Sequence, residues 1–238
     1  LQVTKNATHT TDEITKLTTV DDPSYIGVET GGITGGTGNF VQVHSVDHPR
    51  NSFFVFEQVY DENGMPIEGL YVDRNGDGEL TDDDKYRYKS PNSDWTFGFS
   101  TRYEYASWDA SFSARASLGN YVYNNVASDN AIISGTFNNT GYLTNPTEFI
   151  FDTNFESARY TSDHYVENAS FLRMDNISVG YTFDQFLDVV STMRISATVQ
   201  SVFTITDYSG QDPEVFGGID YNLYPRPRTF MLGLNLNF

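Results

Sequence analysis

The closing stretch RTFMLGLNLNF alternates without a break. Phe230, Leu232, Leu234, Leu236 and Phe238 share one parity, and Thr229, Met231, Gly233, Asn235 and Asn237 share the other. Side chains along a strand point alternately to opposite faces, so this parity predicts one apolar and one mostly polar surface. A helical period of 3.6 would scatter the same residues around an axis. The length fits a tilted strand crossing a bilayer, which takes roughly 9–11 residues.

The same dyad recurs upstream. WTFGFSTRYEY sets Trp95, Phe97, Phe99, Tyr103 and Tyr105 against Gly98, Ser100, Arg102 and Glu104. ASFSARASL sets Ala110, Phe112, Ala114, Ala116 and Leu118 against Ser111, Ser113, Arg115 and Ser117. ISVGYTF and MRISATVQSVFTI repeat it, with Arg194 on the polar side of the second. The stretches between these segments differ in length. A tight turn at Trp108-Asp109 and a short link at 184–192 contrast with irregular stretches over 125–170 and 207–227. Short turns at one end and long loops at the other suit an outer-membrane barrel better than a soluble sandwich. Alternation alone also suits a soluble all-β domain with one solvated face per sheet.

Composition narrows the chemistry. The 238 residues contain no cysteine, which excludes disulfides and thiolate metal sites. A net charge of −18 argues against a nucleic-acid partner. No apolar run is long enough for a membrane helix, a test that a β-barrel does not face. The start, LQVTKNATHT, reads as mid-strand and suggests a fragment or the ordered part of a longer chain.

Several stretches occur in a familiar order: YVDRNGDGELTDDDKYRYKSPNSDWTFGFS, DHYVENASFLRMDNISVGYTF, YSGQDPEV and YPRPRTFMLGLNLNF. Together they resemble the C-terminal part of SusC-like TonB-dependent transporters. The resemblance runs over 52–238, with 126–162 matching poorly. Ser93 stands where that family often has Pro, and Ser201 where it often has Asn. The resemblance implies an all-β chain forming the C-terminal strands of a 22-stranded transmembrane antiparallel barrel with long extracellular loops. On that reading residues 1–238 are one barrel segment, and the plug domain and earlier strands lie elsewhere. It implies no enzymatic activity. It implies a Gram-negative outer membrane, import of oligosaccharides or peptides driven by TonB through the absent N-terminal part, and a SusD-like surface lipoprotein as lid. Phe238 resembles the terminal signal read during barrel assembly.

A periplasmic C-terminus would make 229–238 run inward. Counting back, 193–205 runs outward, 171–183 inward, 110–118 outward and 95–107 inward. The stretches before Trp95, over 125–170 and over 207–227 then lie outside the cell. SFFVFEQVY reads as one further outward strand, GVETGGITGGTGNF as a flexible Gly-rich connection, and the chain as holding about seven strands in all.

One extracellular stretch, DRNGDGELTDDD, has calcium-loop spacing. Calcium takes six to eight oxygen ligands, which this spacing can wrap around it. The side chains of Asp73, Asn75 and Asp77, the carbonyl of Glu79, Thr81 directly or through water, and Asp84 would supply them. Gly78 would make the sharp turn and Leu80 would anchor the loop inward. Asp84 is shorter than the Glu usual at the twelfth position. The same residue types also make plain polar turns. Two competing identities follow from the residues: a secreted calcium-dependent β-sandwich lectin, or an outer-membrane barrel enzyme. His44 and His48 lie on an extended stretch and read as a surface pair, and Asp163-His164 reads as surface. Tyr208, Phe216, Tyr221 and Tyr224 are loop aromatics that pack locally or contact sugar or the lid. Arg102, Glu104, Arg115 and Arg194 belong to the solvated or plug-facing barrel wall.

Overall fold

A computed structural model of the chain describes residues 1–20, 22, 24–35, 38–137, 141–184 and 189–238. Six strands form an antiparallel wall: β1 (Gln2–His9), β2 (Trp95–Tyr105), β3 (Trp108–Leu118), β4 (Phe171–Asp184), β5 (Thr192–Thr206) and β6 (Thr229–Asn237), each beside the next. Cross-strand registers carry the predicted parity through the sheet. Tyr181 lies between Trp108 and Ile195, and Ile195 faces Leu234. Ala197 faces Val179 on one side and Leu232 on the other. These side chains make one continuous apolar surface, and it is bare: Leu232 is 88% exposed and Phe230 72%. The opposite surface carries Arg102, Asp109, Arg115, Arg173 and Arg194.

The register slips once. Met174 pairs with Phe203 and Asn176 with Gln200, which sets Ser201-Val202 against Asp175 alone, while on β3 the partners Ala114 and Ser113 are consecutive, so Asp175 is the bulged residue there. Ser201 absorbs the slip with a left-handed backbone, φ 51°. The bulge keeps the apolar parity aligned above and below it, and it turns Asp175 toward the polar surface.

The buried apolar core lies outside this wall. Val41, Phe53, Val55, Tyr123, Tyr165 and Ile219 cluster within the connections. All three long connections, 10–94, 119–170 and 207–228, leave the same end of the wall. They interlock into a cap. Val28–Gly32, Phe40–His44, Ser52–Val55 and Tyr86–Arg87 form a four-stranded sheet. Tyr121–Asn124 sits between Val166–Asn168 and Ile219–Asp220, pairing in parallel with the latter. Phe56 bridges to Ser162, and the Gln42 amide donates to the Gly217 carbonyl at 2.7 Å. At the other end of the wall only residues 106–107 and 185–191 connect strands, and 185–188, within the predicted short link, lie outside the described residues.

Four expectations need correction. The tight turn is at 106–107, with Ala106 at φ 51°, because Trp108 and Asp109 pair with Tyr105 and Glu104. SFFVFEQVY is not a wall strand: it divides into Ser52–Val55 and Gln58–Tyr60 in the cap, and Ser52, Phe53, Phe54 and Val55 are all buried. A wall strand exposes one face, and these residues expose neither. The wall therefore shows six strands among the described residues, with β1 in the place assigned to SFFVFEQVY. The Gly-rich stretch contains a strand, Val28–Gly32, although 36–37 lie outside the described residues, and the 125–170 stretch carries three short helices.

Candidate functional site

Arg115 and Arg173 project side by side from the polar surface, since their Cα atoms are register partners on β3 and β4. Two like charges at that spacing repel unless anions are placed between them. Segment 207–228 supplies the anions by folding back over the wall. Arg173 is 5% exposed and donates to Asp212 Oδ1 at 2.6 Å, to Glu214 Oε2 at 3.0 Å and to Thr204 Oγ1 at 3.0 Å. Arg115 binds Glu214, and its Nε donates to both oxygens of bulged Asp175 at 3.1 and 3.2 Å. Arg226 closes the segment on itself, at 2.8 Å from Asp212 and 2.6 Å from Glu214.

Three arginines and three carboxylates thus alternate, so no like charges touch without an intervening partner. Burial pushes the Glu214 carboxyl up, but the Arg115 hydrogen bond and the charges of Arg115, Arg226 and Arg173 outweigh it and hold the group below its usual value. Asp212 behaves alike: burial is outweighed by the Glu214 N–H and by Arg173 and Arg226. Nearby, buried Tyr208 donates to Asp220 Oδ2 at 2.8 Å. Sequence reading placed Arg115 on the wall but missed Arg173, Asp175, Asp212, Glu214 and Arg226. Its available signal was the arginine inside the otherwise apolar run SFLRM.

Further down the same surface Arg194 grips Asp109 with two bonds of 2.8 and 2.7 Å, reaching over β4 at Gly180. A Cβ on Gly180 would lie 2.4 Å from the Arg194 guanidinium, so glycine opens the path. Arg102 pairs with Glu104 on its own strand at 2.8 Å. Between segment 207–228 and the upper wall lies a cleft of about 510 Å³.

The proposed calcium loop is folded by its own backbone. Asp73 accepts from Gly76 at 2.6 Å and from Gly78 at 2.8 Å, Asn75 accepts from Asp77 N, and Asp77 accepts from Glu79 N. Buried Asp84 accepts from Thr81 and Arg74 at 2.9 Å each, and more distantly from Asn75. The Thr81 N–H, with those of Asn75 and Arg74, holds the Asp84 carboxyl below its usual value against the effect of burial. Leu80 is 47% exposed and does not anchor the loop inward, because the buried Asp84 takes that place. Among the described residues, no three His, Asp or Glu side chains converge as a metal site.

His44 Nε2 pairs with Asn51 at 2.7 Å, and His48 sits in the following turn, so the two do not act together. Asp163 and His164, read as surface, are half-buried and partnered. Asp163 accepts from Tyr86 OH at 2.7 Å and Gln58 N at 3.0 Å, and His164 packs against Tyr60, Phe149 and Tyr165. Of the loop aromatics, Tyr208 is buried and Tyr221 donates to the Gly32 carbonyl, while Phe216 and Tyr224 stand in solvent.

No family model matches the chain. It is 46% identical over 240 aligned residues, 98% of its own length, to the TonB-dependent receptor SusC of Bacteroides thetaiotaomicron. It is 31% identical over 71% of its length to the TonB-dependent receptor P3 of Formosa agariphila. The chain spans 24% and 19% of the lengths of those relatives. The fold matches the RagAB peptide transporter with a TM-score of 0.74 and 22% identity, covering 99% of this chain and 27% of that one.

Proposed function

The chain belongs, as a segment, to the SusC-like TonB-dependent receptors, and from that premise we infer that it is the C-terminal barrel segment of an outer-membrane nutrient importer. Residues 1–238 form wall and cap. A plug domain and earlier strands complete the barrel, to 22 strands by family likeness, and contact TonB. Closure is required physically: β1 and β6 each have an edge whose N–H and C=O groups would stand unpaired in lipid. The observation that carries this reading is the division of burial. The wall exposes its apolar face, turns its charges to the other face, and leaves the packed core to the cap. A secreted sandwich lectin would bury one face of its main sheet against a second sheet. The cargo is an oligosaccharide or a peptide. A SusD-like lipoprotein would cover the cap, and no catalytic role is proposed.

Fractionation of cells making the full receptor tests this. Recovery in the outer membrane, as a heat-modifiable band that co-purifies with a surface lipoprotein, is the expected result. Release as a soluble monomer without detergent would contradict it and favour the lectin. Hydrolysis abolished by one Ser or His substitution would favour the barrel enzyme instead.

A structural calcium ion at Asp73, Asn75, Asp77, Glu79 and Asp84 is a separate proposal, supported by the ligand spacing. Chelation should increase proteolysis within the loop. Identical protection in chelator and in calcium would remove the ion, leaving the backbone hydrogen bonds as the whole account of the loop.

A further inference from the structure

The apolar face of the wall is not flat. It holds a trough of about 670 Å³ whose lining includes Trp108, Val179, Tyr181, Phe183, Ile195 and Ala197, all of the apolar parity. One flank is a run of rings set edge to face: Tyr181 lies 4.9 Å from Trp108 and 4.6 Å from Phe183, centroid to centroid. Register explains the hollow. Val179 stands between Ala110 on β3 and Ala197 on β5, and neither alanine reaches far from the sheet. One row further from the short links, Ile177 stands between Phe112 and Val199, and Val199 faces Phe230. These larger side chains close that end. At the other end Phe183 is the last apolar residue of β4, next to Asp184 and the short link. Between Phe183 and Val179 the strand rises about 13 Å, close to half of a hydrocarbon core about 30 Å thick.

Within lipid, no hydrophobic gain separates one apolar surface from another, so packing decides. A hydrocarbon chain lying in a trough touches atoms on two sides, and one lying on a flat wall touches them on one. The hollow therefore favours a single unbranched chain running along β4 and β5. On the importer reading the short-link end is periplasmic, so that chain enters from the inner leaflet. Charge at the mouth then selects the headgroup. Residues 105–108 and 182–193 contain no Lys or Arg, and Arg194 is committed to Asp109 on the polar surface. Asp184, at the end of β4, is exposed. An anionic headgroup finds no cation there, whereas an ammonium headgroup finds a carboxylate.

We propose that this trough is a fixed binding site for one acyl chain of an inner-leaflet phosphatidylethanolamine, with Trp108, Tyr181 and Phe183 as its flank, Ala197 as its floor and Asp184 as the partner of the ammonium group. The proposal rests on the reading of the wall as membrane-spanning, and it goes beyond that reading by setting one lipid apart from the rest that cover the face.

The test uses the full receptor in vesicles of phosphatidylethanolamine and phosphatidylglycerol. A trace of one lipid or the other carries a photoreactive group midway along an acyl chain, and peptide mapping after illumination locates the adducts. With the ethanolamine lipid, adducts should concentrate at 179–183 and 195–197, about tenfold over 230–234 on the same face. Ala197→Phe fills the hollow and should erase that excess, and Tyr181→Ala removes part of the flank and should reduce it. Val199→Phe adds bulk outside the trough and should leave it unchanged. The glycerol lipid should give a smaller excess, and so should the ethanolamine lipid with Asp184→Asn. Heat-modifiable migration of each variant reports its assembly. Adducts spread evenly over the face, an excess unchanged in Ala197→Phe and Tyr181→Ala, or an equal excess with the glycerol lipid would each overturn the proposal. Adducts absent from the whole wall would overturn the membrane-spanning reading as well.

Discussion

Arg173 shows most clearly how single residues hold this molecule together. Its guanidinium is nearly sealed from solvent, and so is its partner Asp212, at 8% side-chain exposure. Removing one member of a buried pair costs about 3–5 kcal/mol when the other charge is left uncompensated, but Arg226 stays 2.8 Å from Asp212, which reduces the loss to about 1–3 kcal/mol. Arg173→Met should therefore loosen segment 207–228 by roughly that amount, read as faster proteolysis there in the assembled receptor, with the wall strands still protected. The carboxylates also set a pH dependence. Asp212 and Glu214 are held below their ordinary values of 3.8 and 4.5. A group depressed in the folded state contributes stability above its unfolded pKa and loses it as pH falls through the folded one. Segment 207–228 should thus hold at neutral pH and loosen only below about pH 4.5, with proteolysis by an acid-active protease as the readout. Ser201 offers the opposite kind of test. Its left-handed backbone suits Gly or Asn better than Ser. Ser201→Asn or Ser201→Gly should stabilise the receptor by about 1 kcal/mol at most, read as a higher thermal unfolding midpoint.

At the scale of elements, each wall strand does two jobs with alternate residues. Leu232 sits mid-strand on the bare face, opposite Ala197, and Asn235 sits on the polar face opposite Arg194. An arginine on the lipid side costs roughly 2–4 kcal/mol at the bilayer midplane, whereas the inner side tolerates it. Leu232→Arg should reduce the assembled, heat-modifiable receptor, and Asn235→Gln should leave it unchanged. The wall was legible in the sequence because its signal is local. Residues two apart in RTFMLGLNLNF report the same face whatever surrounds the strand. The cap was not legible, because its strands are defined by distant partners. Tyr123 pairs with Ile219, and Phe56 with Ser162. SFFVFEQVY was misread for that reason: an apolar run looks like wall until the residues that bury its second face are known. The site lay between these cases. Arg115 and Arg194 followed from parity, while Asp212 and Glu214 belong to a segment whose fold-back no local pattern encodes. The calcium-like loop was recognised from its spacing, yet the inward anchor is Asp84 in place of Leu80.

For the whole molecule, the inverted distribution of polarity is the central feature. Apolar side chains cover the outside of the wall, charges line its other surface, and the hydrophobic core sits in the connections above. A chain so built needs two neighbours: lipid against the wall, and further strands at the edges of β1 and β6. Residues 1–238 contain no cysteine, so single cysteines introduced here report each face once any cysteine elsewhere in the receptor is replaced. The decisive measurement places them one at a time at Ile195, Leu232 and Leu234, and at Ser196, Gly233 and Asn235, in the full receptor within membranes. Each carries a fluorophore exposed to lipid-borne and water-borne quenchers. The first set should be quenched from the lipid and the second from water, alternating residue by residue along β6. Uniform quenching from water at both sets would contradict a membrane-spanning wall.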